Sequence, residues 1–262
     1  MSEITKAILE ARESGGCAFV PYIMAGDGGL GRLKEDLLFL QEAGATAVEL
    51  GIPFSDPAAD GPVIQEAGLR ALAAGTTLKA VIEEVKAIRE DVHIPIIFMT
   101  YLNPVLSYGM AGFANDCQEA GIAGVIVPDV PFEESGPLED CLRMNGIDLI
   151  RLIPLSAPED RIRKIAEAAE GFIYAVTVDG ITGVRDSFGG TTDGRLEQLK
   201  EIADIPVLAG FGISTPDHVR DFGRAADGVI VGSAIVDALH RGDREPIKEL
   251  ISSAKNIAVP AE

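Results

Sequence analysis

Short apolar runs rich in valine and isoleucine recur along the chain at intervals. Eight stand out: Cys17–Ile23, Ala47–Leu50, Ile94–Met99, Gly124–Val127, Asp148–Leu152, Phe172–Val176, Pro206–Gly210 and Gly228–Val231. Runs this short and this continuously apolar are expected of strands buried on both faces, as in a parallel sheet. Between them the apolar positions step at helical spacing, as in Leu78, Val81, Ile82, Val85 and Ile88, or Ile162, Ile165, Ala166 and Ala169. Thr215-Pro216 reads as an N-cap followed by proline at the first helical position, and Gly146 as a helix stop. Ile4–Arg12 predicts a short helix ahead of the first strand. The long gap between the second and third strands leaves room for an extra helix, expected at Leu78–Arg89.

A strand followed by a helix, eight times over 262 residues, predicts an α/β fold of the (β/α)8 TIM barrel type. A doubly wound open sheet is the competing architecture. No linker or low-complexity stretch interrupts the pattern, so residues 1–262 are expected to form a single domain. With 22 Lys+Arg against 41 Asp+Glu, the net charge is −19. Such a surface repels phosphate backbones and anionic membranes, which argues against nucleic-acid and membrane partners. No apolar run reaches the roughly 18 residues of a membrane span, and the N-terminus lacks a signal-peptide pattern. Cys17, Cys117 and Cys141 form no CxxC, and His93, His218 and His240 lie far from them in sequence. Neither a disulfide framework nor a metal site is expected, and reduced thiols fit a cytoplasmic setting.

In a barrel of this type the site lies where strands end and loops begin, at the C-terminal face. Glu49 is the one charge in the run Ala47–Phe54. Whether it points into the barrel or toward the helices, it is poorly hydrated. It is therefore either paired with a buried arginine, exposed at a strand end, or a carboxyl with raised pKa suited to moving protons near neutrality. The following loop, Ser55-Asp56-Pro57-Ala58-Ala59-Asp60-Gly61-Pro62, is stiffened by proline and carries Asp60 eleven positions beyond Glu49. Two carboxyls facing one cavity can divide acid and base roles, although an aspartate before glycine also serves turns. Glycine clusters then recur at Gly180-Ile181-Thr182-Gly183, Gly210-Phe211-Gly212 and Gly232-Ser233, after the last three strands. Loops after strands seven and eight with a helix N-terminus suit a phosphate, and Ser233 is expected to cap the last of these helices.

The stretch Glu49-Leu50-Gly51-Ile52-Pro53-Phe54-Ser55-Asp56-Pro57 with Ala59-Asp60-Gly61-Pro62 resembles the signature of the tryptophan synthase alpha chain family. The resemblance continues through Pro21-Tyr22, Asn103-Pro104, Val127-Pro128-Asp129-Val130-Pro131, Thr182-Gly183, Gly210–Ser214 and Gly232–Val236, so it spans about residues 16–250. It implies a (β/α)8 lyase that cleaves indole-3-glycerol phosphate to indole and glyceraldehyde 3-phosphate. By resemblance, Glu49 shuttles protons and delivers one to C3 of the indole ring, and Asp60 takes or stabilises the ring N–H proton. Tyr22, Met99, Ile126 and Ile153 fall at positions that line the indole pocket, and Tyr174 at that of the family's active-site tyrosine near the catalytic glutamate. Gly183, Gly212, Gly232 and Ser233 align with the phosphate binders, and Thr182 with the loop that closes over Asp60. No cofactor is implied for this chain. The implied partner is a beta chain that carries pyridoxal phosphate, in a complex of two alpha and two beta chains, met through the loops of Asp56, Asn103 and Pro131. Two other readings use the same glycine clusters: a phosphate-binding subunit that only activates its partner, and an unrelated sugar-phosphate isomerase.

Overall fold

The computed structural model describes residues 1–177, 192–255 and 257. Its strands form one parallel sheet that comes round on itself. They are β1 (Ala18–Met24), β2 (Val48–Gly51), β3 (Ile96–Met99), β4 (Ile122–Ile126), β5 (Asp148–Leu149), β6 (Arg151–Pro154), β7 (Ile173–Val176), β8 (Val207–Gly210) and β9 (Gly228–Val231). Their order is β5-β4-β3-β2-β1-β9-β8-β7-β6. Only Ile150 separates β5 from β6, and its N–H still donates to the Val125 carbonyl at 2.9 Å. The expected fifth strand is thus present but split: its first half pairs with β4 and its second with β7. The eightfold alternation closes as a barrel, and the open-sheet alternative falls away.

Apart from Glu49, Asp148 and Arg151, the strands carry no charged side chain on either face, because the two faces enter different layers. Val20, Tyr22, Ile97, Ile126, Phe172, Tyr174, Leu208 and Ile230 belong to the inner cluster. Phe19, Val48, Phe98, Val125, Ile153, Ile173, Val207 and Val229 pack outward under the helices. This is the two-sided burial that the sequence runs imply.

The helix α1 (Glu3–Glu13) precedes β1, as expected. Its Ile4 and Ile8 close the lower end of the inner cluster, and the Thr5 hydroxyl donates to the Gly171 carbonyl at 2.7 Å. Next come α2 (Leu33–Ala43) and, between β2 and β3, α3 (Pro62–Ala73) and α4 (Leu78–Ile88). Of these two, α4 holds the ordinary ring place. Its apolar face is buried in the outer layer, and its neighbours are α2 and α6 (Met110–Glu119). The additional helix is α3, which follows the Asp60 loop and sets Ala67 and Ala71 against the inner cluster. A short α5 (Leu102–Tyr108), not expected from the pattern, precedes α6. The ring continues with α7 (Gly136–Met144), α8 (Glu159–Glu167), α9 (Thr192–Ile202), α10 (Pro216–Ala225), α11 (Ser233–Arg241) and α12 (Glu245–Lys255). The Thr215 hydroxyl caps α10 by accepting the His218 N–H, with Pro216 behind it. Gly146 takes φ +69° just past α7, where its N–H bonds the Arg143 carbonyl.

Candidate active site

At the C-terminal end of the barrel lies a cavity of about 260 Å³. Glu49, Asp60, Tyr22, Met99, Tyr174, Gly212, Gly232 and Ser233 all line it. They come from β1, β2, β3, β7 and the loops after β2, β8 and β9, far apart in sequence.

Glu49 owes its direction to register. In the parallel ladders Tyr22 pairs with Glu49 and Glu49 with Ile97, and Tyr22 and Ile97 both point inward. Glu49 is 3 % exposed and one of its carboxyl oxygens has no hydrogen-bond partner among the described residues. Neither the buried arginine nor the exposed strand end therefore describes it. Burial first, and then the nearby Asp60 charge, push its pKa up to about 8. A carboxyl in that state is protonated near neutrality and can give its proton to a substrate atom.

Asp60 is held on a turn rather than on a strand. Its N–H donates to the Pro57 carbonyl at 3.1 Å, and its own carbonyl accepts from Gln65 Nε2 at 2.8 Å. It is half-buried, which raises its pKa to about 6 against the opposing effect of a hydrogen bond from Tyr101. The two carboxyls thus have different environments and different charge states at neutral pH, the condition for separate acid and base roles.

Tyr22 and Tyr174 are buried phenols whose pKa values burial pushes well up, so both stay neutral. Tyr174 meets Phe211 with ring centroids 5.7 Å apart. Phe211 stands at φ +73°, a left-handed backbone that side-chain-bearing residues rarely adopt, followed by Gly212 at φ +77°. The Thr177 hydroxyl secures this turn at the Gly210 and Phe211 carbonyls, at 2.7 and 2.8 Å. The result is an aromatic ring turned out over the cavity mouth, 41 % exposed. Sequence reasoning took Gly210-Phe211-Gly212 only as a glycine cluster and missed the ring between. It also missed Ile64, Ile213 and Ile230, which line the same cavity. Ile230 lies near the end of β9 and Ile213 just beyond β8, which position could have signalled, whereas Ile64 sits in the first turn of α3.

Several expectations need correction or placing. Ile153 does not face the interior. It packs in the outer layer, while Leu152 packs against the inner cluster, because successive strand residues alternate and Ile153 falls on the helix side. Ile126 is fully buried within the inner cluster. Ser233 is the first residue of α11 rather than its cap. Gly232 occupies the cap position, and no side chain caps the helix. The first N–H groups of α11 have no intrahelical acceptor, as at any helix start, and the Gly232-Ser233 segment fronts the cavity. Thr182 and Gly183 lie outside the described residues. Asp56 and Pro131 are exposed on the loops after β2 and β4, and Asn103 is exposed in the first turn of α5, which follows β3. Among the described residues no group of three His, Cys, Asp or Glu side chains could hold a metal ion. No helix among them is long and apolar enough to cross a membrane.

A barrel whose catalytic-face cavity carries two unlike carboxyls and an aromatic wall belongs with the (β/α)8 enzymes that work by moving protons. The comparisons with known proteins narrow this. The family model of the tryptophan synthase alpha chain matches residues 8–260. The alpha chains of Bacillus cereus and Bacillus mycoides are each 50% identical over 248 residues, covering 95% of this chain and 96% of theirs. Among solved structures, the Legionella pneumophila alpha chain superposes with TM-score 0.87 at 31% identity, covering 98% of both chains. A chain of tryptophan synthase from M. tuberculosis gives TM-score 0.87 at 30% identity, covering 97% of this chain and 100% of that one. The chain belongs to the tryptophan synthase alpha chain family. It is a lyase of tryptophan biosynthesis, of the kind that cleaves indole-3-glycerol phosphate and acts with a beta chain.

Proposed function

We propose that Glu49 and Asp60 carry out the retro-aldol cleavage between them. Protonated Glu49 gives its proton to C3 of the indole ring, and ionised Asp60 accepts the proton from the ring N–H. The ring becomes an indolenine, with C2 doubly bonded to nitrogen. Glu49, now a carboxylate, takes the proton of the glycerol hydroxyl beside the scissile bond. That oxygen closes a carbonyl, the C–C bond breaks, and its electron pair re-forms the C2–C3 double bond of indole. The ring nitrogen recovers its proton from Asp60. Both carboxyls return to their starting states, and indole and glyceraldehyde 3-phosphate are the products. These steps need no cofactor on this chain; the pyridoxal phosphate belongs to the beta chain.

The observation that carries this reading is the shared cavity of the two carboxyls, with Glu49 pushed up to about 8 and Asp60 to about 6. The apolar wall of Met99, Ile64, Ile230 and Phe211 suits a flat ring. Gly212 after β8, and Gly232 and Ser233 at the start of α11, bind the phosphate through backbone N–H groups, which need no net positive charge. Remote binding of the phosphate then orients the ring against the carboxyls.

Two alpha chains meet a beta dimer through the exposed Asp56, Asn103 and Pro131, and the whole of residues 1–262 acts as one barrel domain. Free Cys17, Cys117 and Cys141 support a reducing, cytoplasmic setting. The test is release of glyceraldehyde 3-phosphate from indole-3-glycerol phosphate, with and without a beta chain. Glu49→Gln and Asp60→Asn must each lower kcat by about 100-fold or more. Undiminished cleavage by either variant sinks the assignment.

A further inference from the structure

We propose that Tyr101, a residue with no role assigned so far, positions Asp60 for proton transfer through its hydroxyl. The proposal rests on Asp60 being the proton acceptor described above. Tyr101 follows β3 by two residues and is 3 % exposed. Its Oη accepts the backbone N–H of Ala59 at 3.0 Å. A phenol has one hydrogen to donate besides the lone pairs that accept. With Ala59 on the accepting side, that hydrogen is left for the adjacent carboxyl of Asp60, and their hydrogen bond favours the ionised form of the aspartate. One oxygen therefore grips the loop at two successive residues.

The ring grips it a third time. It rests against Phe54 with centroids 5.2 Å apart and an interplanar angle of 30°. Phe54 and Asp60 bracket the loop, so Tyr101 is in touch with both ends of it.

Tyr101 is itself fixed from the far side. The Thr100 N–H donates to the Ile126 carbonyl at 3.0 Å, and the Leu102 N–H to the Asp129 carboxylate at 2.9 Å. The backbone before and after the tyrosine is thus tied to β4 and the loop beyond it. The hydroxyl takes its place from the sheet, and the Asp60 loop takes its place from the hydroxyl. A carboxyl on a loop gains rigidity from such support, which is what proton transfer over a short, aimed distance requires. Phenylalanine would supply the same ring contact with Phe54. The hydroxyl, costly to bury unless it is bonded, is what packing does not explain.

The titratable groups around this pair are Glu49 from β2 and Tyr22 from β1 beside Asp60, and Asp129 beside Tyr101. None of these described residues is a cation, and among them the Tyr101 hydroxyl is the group that favours the ionised aspartate.

The experiment compares Tyr101→Phe, Asp60→Asn and the double variant in the full-length chain, with and without a beta chain, using indole-3-glycerol phosphate. For Tyr101→Phe, kcat should fall by about tenfold while KM changes by less than about twofold. The acidic limb of its kcat/KM profile should move upward by about one pH unit, because the ionised aspartate has lost a donor. The double variant should be no slower than Asp60→Asn alone. A Tyr101→Phe enzyme within about twofold of the parent, with its acidic limb unmoved, overturns the proposal. So does a loss of rate that tracks a lowered Tm while the limb stays in place. Full activity in Asp60→Asn would instead sink the underlying reading of Asp60, whatever Tyr101→Phe does.

Discussion

Glu49 stands level with Tyr22 across the β1–β2 ladder, so a buried acid and a buried phenol share one layer of the barrel interior. Among the described residues no cation faces Glu49 there: besides burial, the Asp60 charge acts on it, and both effects favour the proton-bound form. The pH dependence of activity follows. Cleavage needs Glu49 protonated and Asp60 ionised, with values pushed up to about 8 and about 6. The expected kcat/KM profile is a bell that falls below about pH 6 and above about pH 8. A flat profile from pH 5 to 9 would separate these carboxyls from the chemistry.

Stability should show the same groups with a definite sign. The folded chain holds a proton on Glu49 that the unfolded chain, with an ordinary glutamate, releases at lower pH. The folded state therefore binds more protons in this window, and stability declines as pH rises through it. Glu49→Gln removes that dependence. Its Tm should exceed the parent's by a margin that widens between about pH 5 and pH 8. A constant difference across that range would contradict the burial argument.

Gly51 is required by Tyr22. A Cβ on residue 51 would sit 1.9 Å from the Tyr22 Oη and 2.5 Å from its ring carbon. Gly51→Ala should displace the ring, cost about 1–3 kcal/mol in urea unfolding, and lower cleavage because the displaced ring lies in the layer of Glu49.

The phosphate site can be separated from folding by Ser233→Asp. An aspartate in the first turn of α11 suits the helix dipole, so Tm should hold or rise slightly. A dianion at the same N-terminus would be repelled, and KM for indole-3-glycerol phosphate should rise by about 100-fold. An unchanged KM would move the phosphate elsewhere.

Arg70 ties α3 to the barrel. Its guanidinium makes two 2.7 Å bonds to the carboxylate of Asp27, just beyond β1. Since α3 continues directly from the Asp60 loop, Arg70→Ala should lower stability by about 1–2 kcal/mol and reduce kcat with it. Loss of stability with kcat intact would mean that the loop is held without α3.

Much of the fold was legible because parallel strands buried on both faces must be apolar throughout, and few other elements are so short and so uniform. The boundaries slipped by one or two residues, as from Cys17–Ile23 to Ala18–Met24, because apolar character does not end where pairing ends. A helix at Leu78–Arg89 is legible in the sequence, but not that it holds an ordinary ring place rather than the extra one, because that depends on neighbours α2 and α6, which no local pattern contains. Gly232 and Ser233 were legible as a helix start, but which of the two caps it is a matter of backbone angles.

The strand–helix alternation, the lone charge at Glu49, the stiff loop of Asp60 and the glycines at the strand ends are all written in the order of the residues. Composition and spacing are enough to reveal these. Tertiary structure alone decided which side of each strand faces inward, and so replaced Ile153 by Leu152 at the inner cluster. It also brought Tyr101 and Phe211 into the site. The physical reason is that alternation along a strand has two phases of equal local cost. Only the pairing of that strand with its neighbours, and the closing of the barrel, selects between them.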